Sequence, residues 1–211
     1  MSVLKFRYSY PYEASLLRLA DKKLTKEHSD LAWERTELSQ KIWNKYEKDV
    51  LNLFREMYKI EIPEKFIKAY ISLIAPNSYS DPLTISLKRR IDFETSPRSK
   101  RGFVYNVIHE LAHFFAYTRD DTEFFNKLYT KIQKVNLLGE HGANLHYLIQ
   151  AVEFGIIGEI FGNEYANYGR DWVIENSKDN EYGKSAKALK ENNVPLDKTC
   201  LKYIKKGFAL L

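Results

Sequence analysis

The sequence predicts an α+β fold, mainly helical, with a small antiparallel sheet packed against one central helix. Three observations carry that expectation. Apolar residues recur every three or four positions over most of the chain. Two neighbouring stretches in the first half alternate apolar and polar residues instead. The 211 residues, 44% hydrophobic and 29% charged, are enough to bury a sizeable core and too apolar for a disordered chain. A single domain over 1–211 is expected, with a helical N-terminal part over about 13–59 and a second part over about 64–165.

Residues 13–59 are rich in helix formers. Leu31, Arg35, Leu38, Ile42, Tyr46, Val50, Phe54 and Met57 fall at helical spacing. All but Arg35 are apolar or aromatic, and the Arg35 stem can cover apolar surface while its head stays wet. One long amphipathic helix is therefore predicted, starting near Ser29 or Asp30 and over before Pro63. In FIKAYISLI, Ile67, Ala69, Ile71 and Leu73 alternate with Lys68, Tyr70 and Ser72, the period of a half-buried strand. APNSYSDP reads as a turn by composition. In LTISLKRRIDF, Leu83, Ile85, Leu87, Ile91 and Phe93 share one face, interrupted by Arg89. Two alternating runs joined by a loop predict an antiparallel pair. Ser96 and Pro97 offer a helix start, Gly102 a later one, and that helix is expected to reach Tyr117 or Thr118. Further helices are predicted over 121–135, 144–162 and 196–208. Residues 138–142 read as a turn, Gly155 and Gly158 weaken the apolar 144–162 helix, and lysines near the end of the last helix suit its dipole.

Composition narrows the function classes. Lys and Arg number 33 against 28 acids, a net charge of +5, with the signs interspersed. That favours a solvated basic surface over a nucleic-acid groove. The aromatic content reads as core rather than as a base-stacking platform. Cys200 is the single cysteine, which precludes an intrachain disulfide and a multi-cysteine zinc site and fits a reducing, cytoplasmic compartment. The N-terminal stretch lacks the continuous apolar core of a secretory signal. No run approaches the roughly 18 uncharged apolar residues of a membrane span.

The motif that carries chemistry is VIHELAHFF. His109 and His113 are one helical turn apart, so both imidazoles share a face and can hold one zinc ion through ring nitrogens. Glu110 is rotated by about 100° from His109. It lies beside the metal, where it can take a proton from an activated water and pass one to a leaving amine. Leu111, Ala112, Phe114 and Phe115 are uncharged, as a buried metal-bearing helix requires. In this region, from Leu83 to Phe161, the chain resembles a zincin metallopeptidase. The resemblance implies a zinc peptidase whose edge strand, here Leu83 to Phe93, binds an extended peptide by strand addition.

Two histidines need a third protein ligand and an open position. Glu153 is the preferred candidate, because a carboxylate on a long apolar helix is expensive unless it is paired or metal-bound. His146, Gln150 and Glu153 form a polar stripe at helical spacing. A ligand Glu on a second helix resembles the gluzincin branch, although Ile157 stands where that branch often has an acid. His146 is then either an electrophile that stabilises the oxyanion or the third ligand itself. His141, Glu140, Glu159 and His28 are the remaining candidates, and Cys200 is a poor one. Ala116 and Arg119 break the metzincin pattern. Tyr147, Tyr165 and Tyr168 could supply a phenolic donor, with packing as the default. Asp120 and Asp121 read as solvated turn residues.

The expected function is zinc-dependent hydrolysis of a peptide or protein substrate, with Glu110 as general base. One alternative is a regulator of the same fold that cleaves or binds a single partner. The other is a metal-free helical protein in which the motif is fortuitous.

Overall fold

The computed structural model of the protein describes residues 3–19, 23–62, 67–88, 97–117 and 123–208. Among these, nine helices accompany one four-stranded sheet, so the mainly helical α+β class stands. In chain order the elements are β1 (Leu4–Tyr8), α1 (Tyr10–Leu19), α2 (Lys26–Trp43), α3 (Glu47–Tyr58), β2 (Ile67–Ser72), β3 (Tyr79–Ser80), β4 (Leu83–Ser86), α4 (Pro97–Tyr117), α5 (Glu123–Val135), α6 (His141–Phe161), α7 (Asn163–Asn176), α8 (Glu181–Glu191) and α9 (Cys200–Phe208). No described helix is long and apolar enough to cross a membrane. The chain forms two compact units, Met1–Lys48 with Pro63–Phe114 and Asp49–Ile62 with Phe115–Leu211. Each unit draws on two separate stretches of the sequence.

In the first unit the sheet has the order β1-β2-β4-β3. β1 runs parallel to β2, with Leu4 opposite Ile67 and Tyr8 opposite Ile71. β2 runs parallel to β4, with Tyr70 opposite Thr84 and Ser72 opposite Ser86. Only β3 and β4 are antiparallel. The expected antiparallel pairing of the two alternating runs is therefore corrected to a parallel one. After β2 the chain doubles back and lays its return leg, β3, on the far side of β4, so β3 rather than β2 is the hairpin partner. Serines fix this path. The Ser86 N–H donates to Ser78 Oγ (3.0 Å), the Ser86 hydroxyl donates to the Ala75 carbonyl (2.6 Å), and the Leu87 N–H donates to the Ser72 carbonyl (2.8 Å). The apolar face holds, with Ile67, Ala69, Ile71, Leu83, Ile85 and Leu87 buried, but Ser72 and Thr84 on the expected polar face are fully buried as well and Leu73 is half-buried. Ile91, Phe93, Arg89 and the Ser96 helix start lie outside the described residues, as do Asp120 and Asp121.

β4 has a neighbour on each side, so Leu83–Ser86 is not the free edge that strand addition would need. The outer edge of β1 is covered by side chains of the same unit. The Phe6 N–H donates to Gln40 Oε1 (2.9 Å), and Gln40 Nε2 donates to the Leu4 carbonyl (3.1 Å). The Leu4 N–H and Trp43 Nε1–H both donate to Glu47 Oε1, at 2.6 and 3.0 Å. Phe6 touches the rings of Trp43 and Phe103, which joins the sheet to α2 and α4. Glu13, fully buried, accepts from the Ser72 hydroxyl (2.7 Å) and the Leu73 N–H (2.9 Å), and lies 3.0 Å from His28 Nε2.

The single long helix expected after Ser29 is two helices. α2 starts earlier, capped by Thr25, whose hydroxyl accepts from the His28 N–H. It ends at Asn44, where the N–H groups of Lys45 and Tyr46 turn back to the carbonyls of Ile42 and Trp43. The break allows Glu47 to face Trp43 and β1. On the inner face of α2 the expected Ile42 is buried, but the rest of that face is shifted by one position. Ala32, Thr36, Ser39 and Trp43 are buried, whereas Leu31 is exposed. On α3 the expected Val50, Phe54 and Met57 are buried as read.

The second unit is all helical. α6 is largely apolar apart from its His146, Gln150 and Glu153 stripe, and it is buried continuously from Ala143 to Ile157. Phe54, Tyr58, Phe115 and Phe125 form a ring cluster with centroid separations of 5.1–5.8 Å. Gly155 and Gly158 explain themselves by close approach. A Cβ on Gly158 would lie 1.8 Å from the Leu196 carbonyl oxygen, and one on Gly155 would lie 2.7 Å from that of Asp197. The stretch between the helices predicted over 144–162 and 196–208 contains α7 and α8. Asn180 caps α8 by accepting from the Tyr182 and Gly183 N–H groups.

Candidate metal centre

α4 presents the motif from a buried setting. Val107, Ile108, Leu111, Ala112 and Phe115 have no exposed surface, and Glu110 and His113 are each only 8% exposed. The His109 and His113 rings stand 4.8 Å apart, centroid to centroid, as one helical turn dictates. His109 is half-buried, while burying the His113 imidazole and the Glu110 carboxylate is expensive unless each has a partner.

α6 carries the second polar group. His146, Gln150 and Glu153 are buried at 5%, 1% and 1% exposure, so the stripe read from the sequence does lie inside the protein. His146 is tied by its Nδ1, which sits 3.0 Å from the Gly142 carbonyl oxygen. A carbonyl only accepts, so Nδ1 carries the proton, and in the neutral ring the lone pair is on Nε2. Glu181 Oε1 lies 3.6 Å from the same Nδ1, and the Tyr182 ring lies 4.2 Å from the imidazole.

Three imidazoles come together. The ligand atoms of His109, His113 and His146 all lie within 4.8 Å of one another, close enough to bind one metal ion. Two nitrogens on a tetrahedral zinc are about 3.3 Å apart at the usual Zn–N length. The donor chemistry suits zinc, because neutral imidazole is a ligand it favours. Glu153 is not a member of this group of three among the described residues.

The other candidates have structural roles. His141 meets the Tyr129 hydroxyl, 3.0 Å from Nε2. His28 is paired with Glu13. Glu140 is paired with Lys184, and Glu159 accepts from the Lys198 N–H at 3.2 Å. Cys200 is fully buried, and that burial pushes its thiol well above the ordinary value of 9.0. Tyr147 lines a separate cavity of about 420 Å³ with Leu137, Asn192, Tyr203, Ile204 and Phe208, and accepts from Asn192 Nδ2 at 3.3 Å. Burial raises the Tyr147 phenol above its ordinary value. Tyr165 packs edge-on against Phe161, and Tyr168 is half exposed.

Glu181, Tyr182 and Gly142 are the neighbours that sequence reasoning missed. The signal is faint: an Asn180 cap followed by an acid in a first helical turn, in a stretch for which the sequence predicts no element.

No protein-family model, curated protein or solved structure matches the chain.

Proposed function

We propose that the protein is a zinc-dependent peptide hydrolase in which His109, His113 and His146 hold the metal and Glu110 is the general base. The observation that carries the reading is the convergence of three imidazole donors, two of them from an HExxH helix. Such a set leaves a fourth position open, the arrangement of catalytic rather than structural zinc. A zinc ion bound there supplies Lewis acidity, polarising the scissile carbonyl and acidifying water.

The residues of the chain do the rest. Glu110, one residue from His109 and shielded from solvent, takes the proton of the attacking water and returns it to the leaving amine. The apolar faces of α4 keep bulk water from competing for that proton. The Gly142 carbonyl holds the His146 ring in one tautomer. Glu153 remains the rival third ligand, because its buried carboxylate shares the α6 stripe with His146.

The test starts with elemental analysis of untagged protein, then compares variants. Zinc near one atom per chain is expected, retained in Glu110→Gln and Glu153→Ala and lost in His146→Ala. Glu110→Gln should lower hydrolysis of a peptide library by at least about 10²-fold, the contribution of a general base. Full activity in Glu110→Gln overturns the mechanism. Zinc lost from Glu153→Ala but kept by His146→Ala makes Glu153 the ligand. A chain that takes up no zinc at neutral pH removes the proposal altogether.

A further inference from the structure

We infer that Glu181 is the positioning residue for His146, reaching the imidazole through a gap that Gly142 leaves open. The inference rests on His146 being a metal ligand. Its own evidence lies wholly within the contacts of α6 and α8.

Glu181 stands in the first turn of α8, and its Oε1 lies 3.6 Å from His146 Nδ1. The path between them exists because residue 142 has no side chain. A Cβ there would lie 1.8 Å from Glu181 Oε2 and 3.0 Å from its carboxyl carbon. Gly142 has no positive φ that requires a glycine, and the space a Cβ would need is occupied by the Glu181 carboxylate. Gly142 thus serves His146 twice, through its carbonyl and through its missing side chain.

The start of α8 is held to the start of α6 at several points. The Ser185 hydroxyl lies 3.2 Å from the Ala143 carbonyl oxygen, Lys184 pairs with Glu140, and Tyr182 covers the imidazole at 4.2 Å. Gly183 fits against the turn before α8, where a Cβ would lie 2.1 Å from the Ser177 carbonyl oxygen. The carboxylate is therefore carried by an anchored helix end rather than by a free loop.

Facing Nδ1 with a carbonyl and a carboxylate has one chemical result. Both accept and neither donates, so the proton stays on Nδ1 and the Nε2 lone pair would be the one offered to a metal ion. Losing an outer partner of this kind typically weakens metal binding by about 10- to 100-fold.

The experiment measures Zn²⁺ affinity of the full chain by competition with a chromophoric chelator, for wild type, Glu181→Gln, Glu181→Ala, Gly142→Ala and His146→Ala. Co²⁺ spectra and the melting temperatures of the metal-free proteins are recorded alongside. Glu181→Ala and Gly142→Ala should each bind zinc about 10- to 100-fold more weakly, with an altered Co²⁺ visible band. Glu181→Gln should fall between them and wild type, since its amide oxygen still accepts. Wild-type affinity and an unchanged Co²⁺ band in both Glu181 variants, with His146→Ala unable to bind, overturn the positioning role and leave the ligand reading standing. Wild-type affinity in His146→Ala instead overturns the ligand reading and this inference with it. A lower melting temperature of metal-free Glu181→Ala with zinc affinity and Co²⁺ band intact makes the contact structural and overturns the inference.

Discussion

A histidine can be read as a ligand from sequence only when its partner is close in sequence. His109 and His113 announce each other because a helix places positions one turn apart on the same face. Glu110 follows from the same arithmetic. His146 is legible as part of a polar stripe on an apolar helix, and the sequence offers it as an electrophile or as a third ligand while preferring Glu153 on the expense of a buried carboxylate. What sets His146 apart is a backbone carbonyl at 3.0 Å and a carboxylate from α8, and no local pattern encodes either. Cys200 shows the reverse case, a residue whose chemistry is silenced by its surroundings. It is fully buried against α6, where a Cβ on Gly155 would lie 3.2 Å from its sulfur. Burial keeps the thiol protonated, and only the thiolate is nucleophilic. Iodoacetamide at pH 8 should therefore label the native protein far more slowly than the urea-unfolded chain. Mass spectrometry gives the two rates, and equal rates would place the sulfur in contact with solvent.

At the scale of the element, the periodicities identified which stretches fold and misjudged how they pair. The helices over 97–117, 123–135, 141–161 and 200–208 were legible within a few residues, because each repeats apolar positions at helical spacing. β1 was missed although Leu4, Phe6 and Tyr8 alternate with Lys5 and Arg7, since five residues are a weak signal on their own. The inner face of α2 was misread because it is built from Ala32, Thr36 and Ser39. Small residues of mixed polarity suit a helix lying close to a strand, and a search for large apolar residues passes over them. Gly155 and Gly158 were taken as weaknesses of α6, whereas they are where the segment before α9 packs against it. Gly158→Ala should therefore destabilise the protein by about 1–3 kcal/mol, because its Cβ meets backbone that cannot rotate away. Gly207→Ala in α9, with nothing within 4 Å of its Cβ, should be neutral or stabilising. Thermal unfolding of the two variants side by side separates packing from helix propensity.

For the molecule as a whole, buried protonated groups shape how stability depends on pH. Tyr58 is fully buried between Phe54 and Phe125, and desolvation raises its phenol well above the ordinary value of 10.0. Cys200 is raised from 9.0 by the same cause. A raised folded-state value means that the unfolded chain releases its proton first as pH rises. The contribution of each group is thus complete below its ordinary value and is lost above it. Urea midpoints should hold near pH 8 and fall through pH 9 to 11, with Tyr58→Phe and Cys200→Ala each flattening that fall. An unchanged pH profile in the double variant would show that other groups control it. The fold class was legible at this scale because composition and period alone decide it. The sheet's mixed pairing was not, since it depends on where a return leg of two residues comes to rest. The side chains that cover β1 have a consequence for the company this protein keeps. Gln40 imitates one rung of a neighbouring strand, accepting from Phe6 and donating to Leu4, while Glu47 takes the Leu4 N–H. With these backbone groups of Leu4 and Phe6 already paired, that margin offers an incoming strand fewer open rungs, which disfavours edge-to-edge association of copies there.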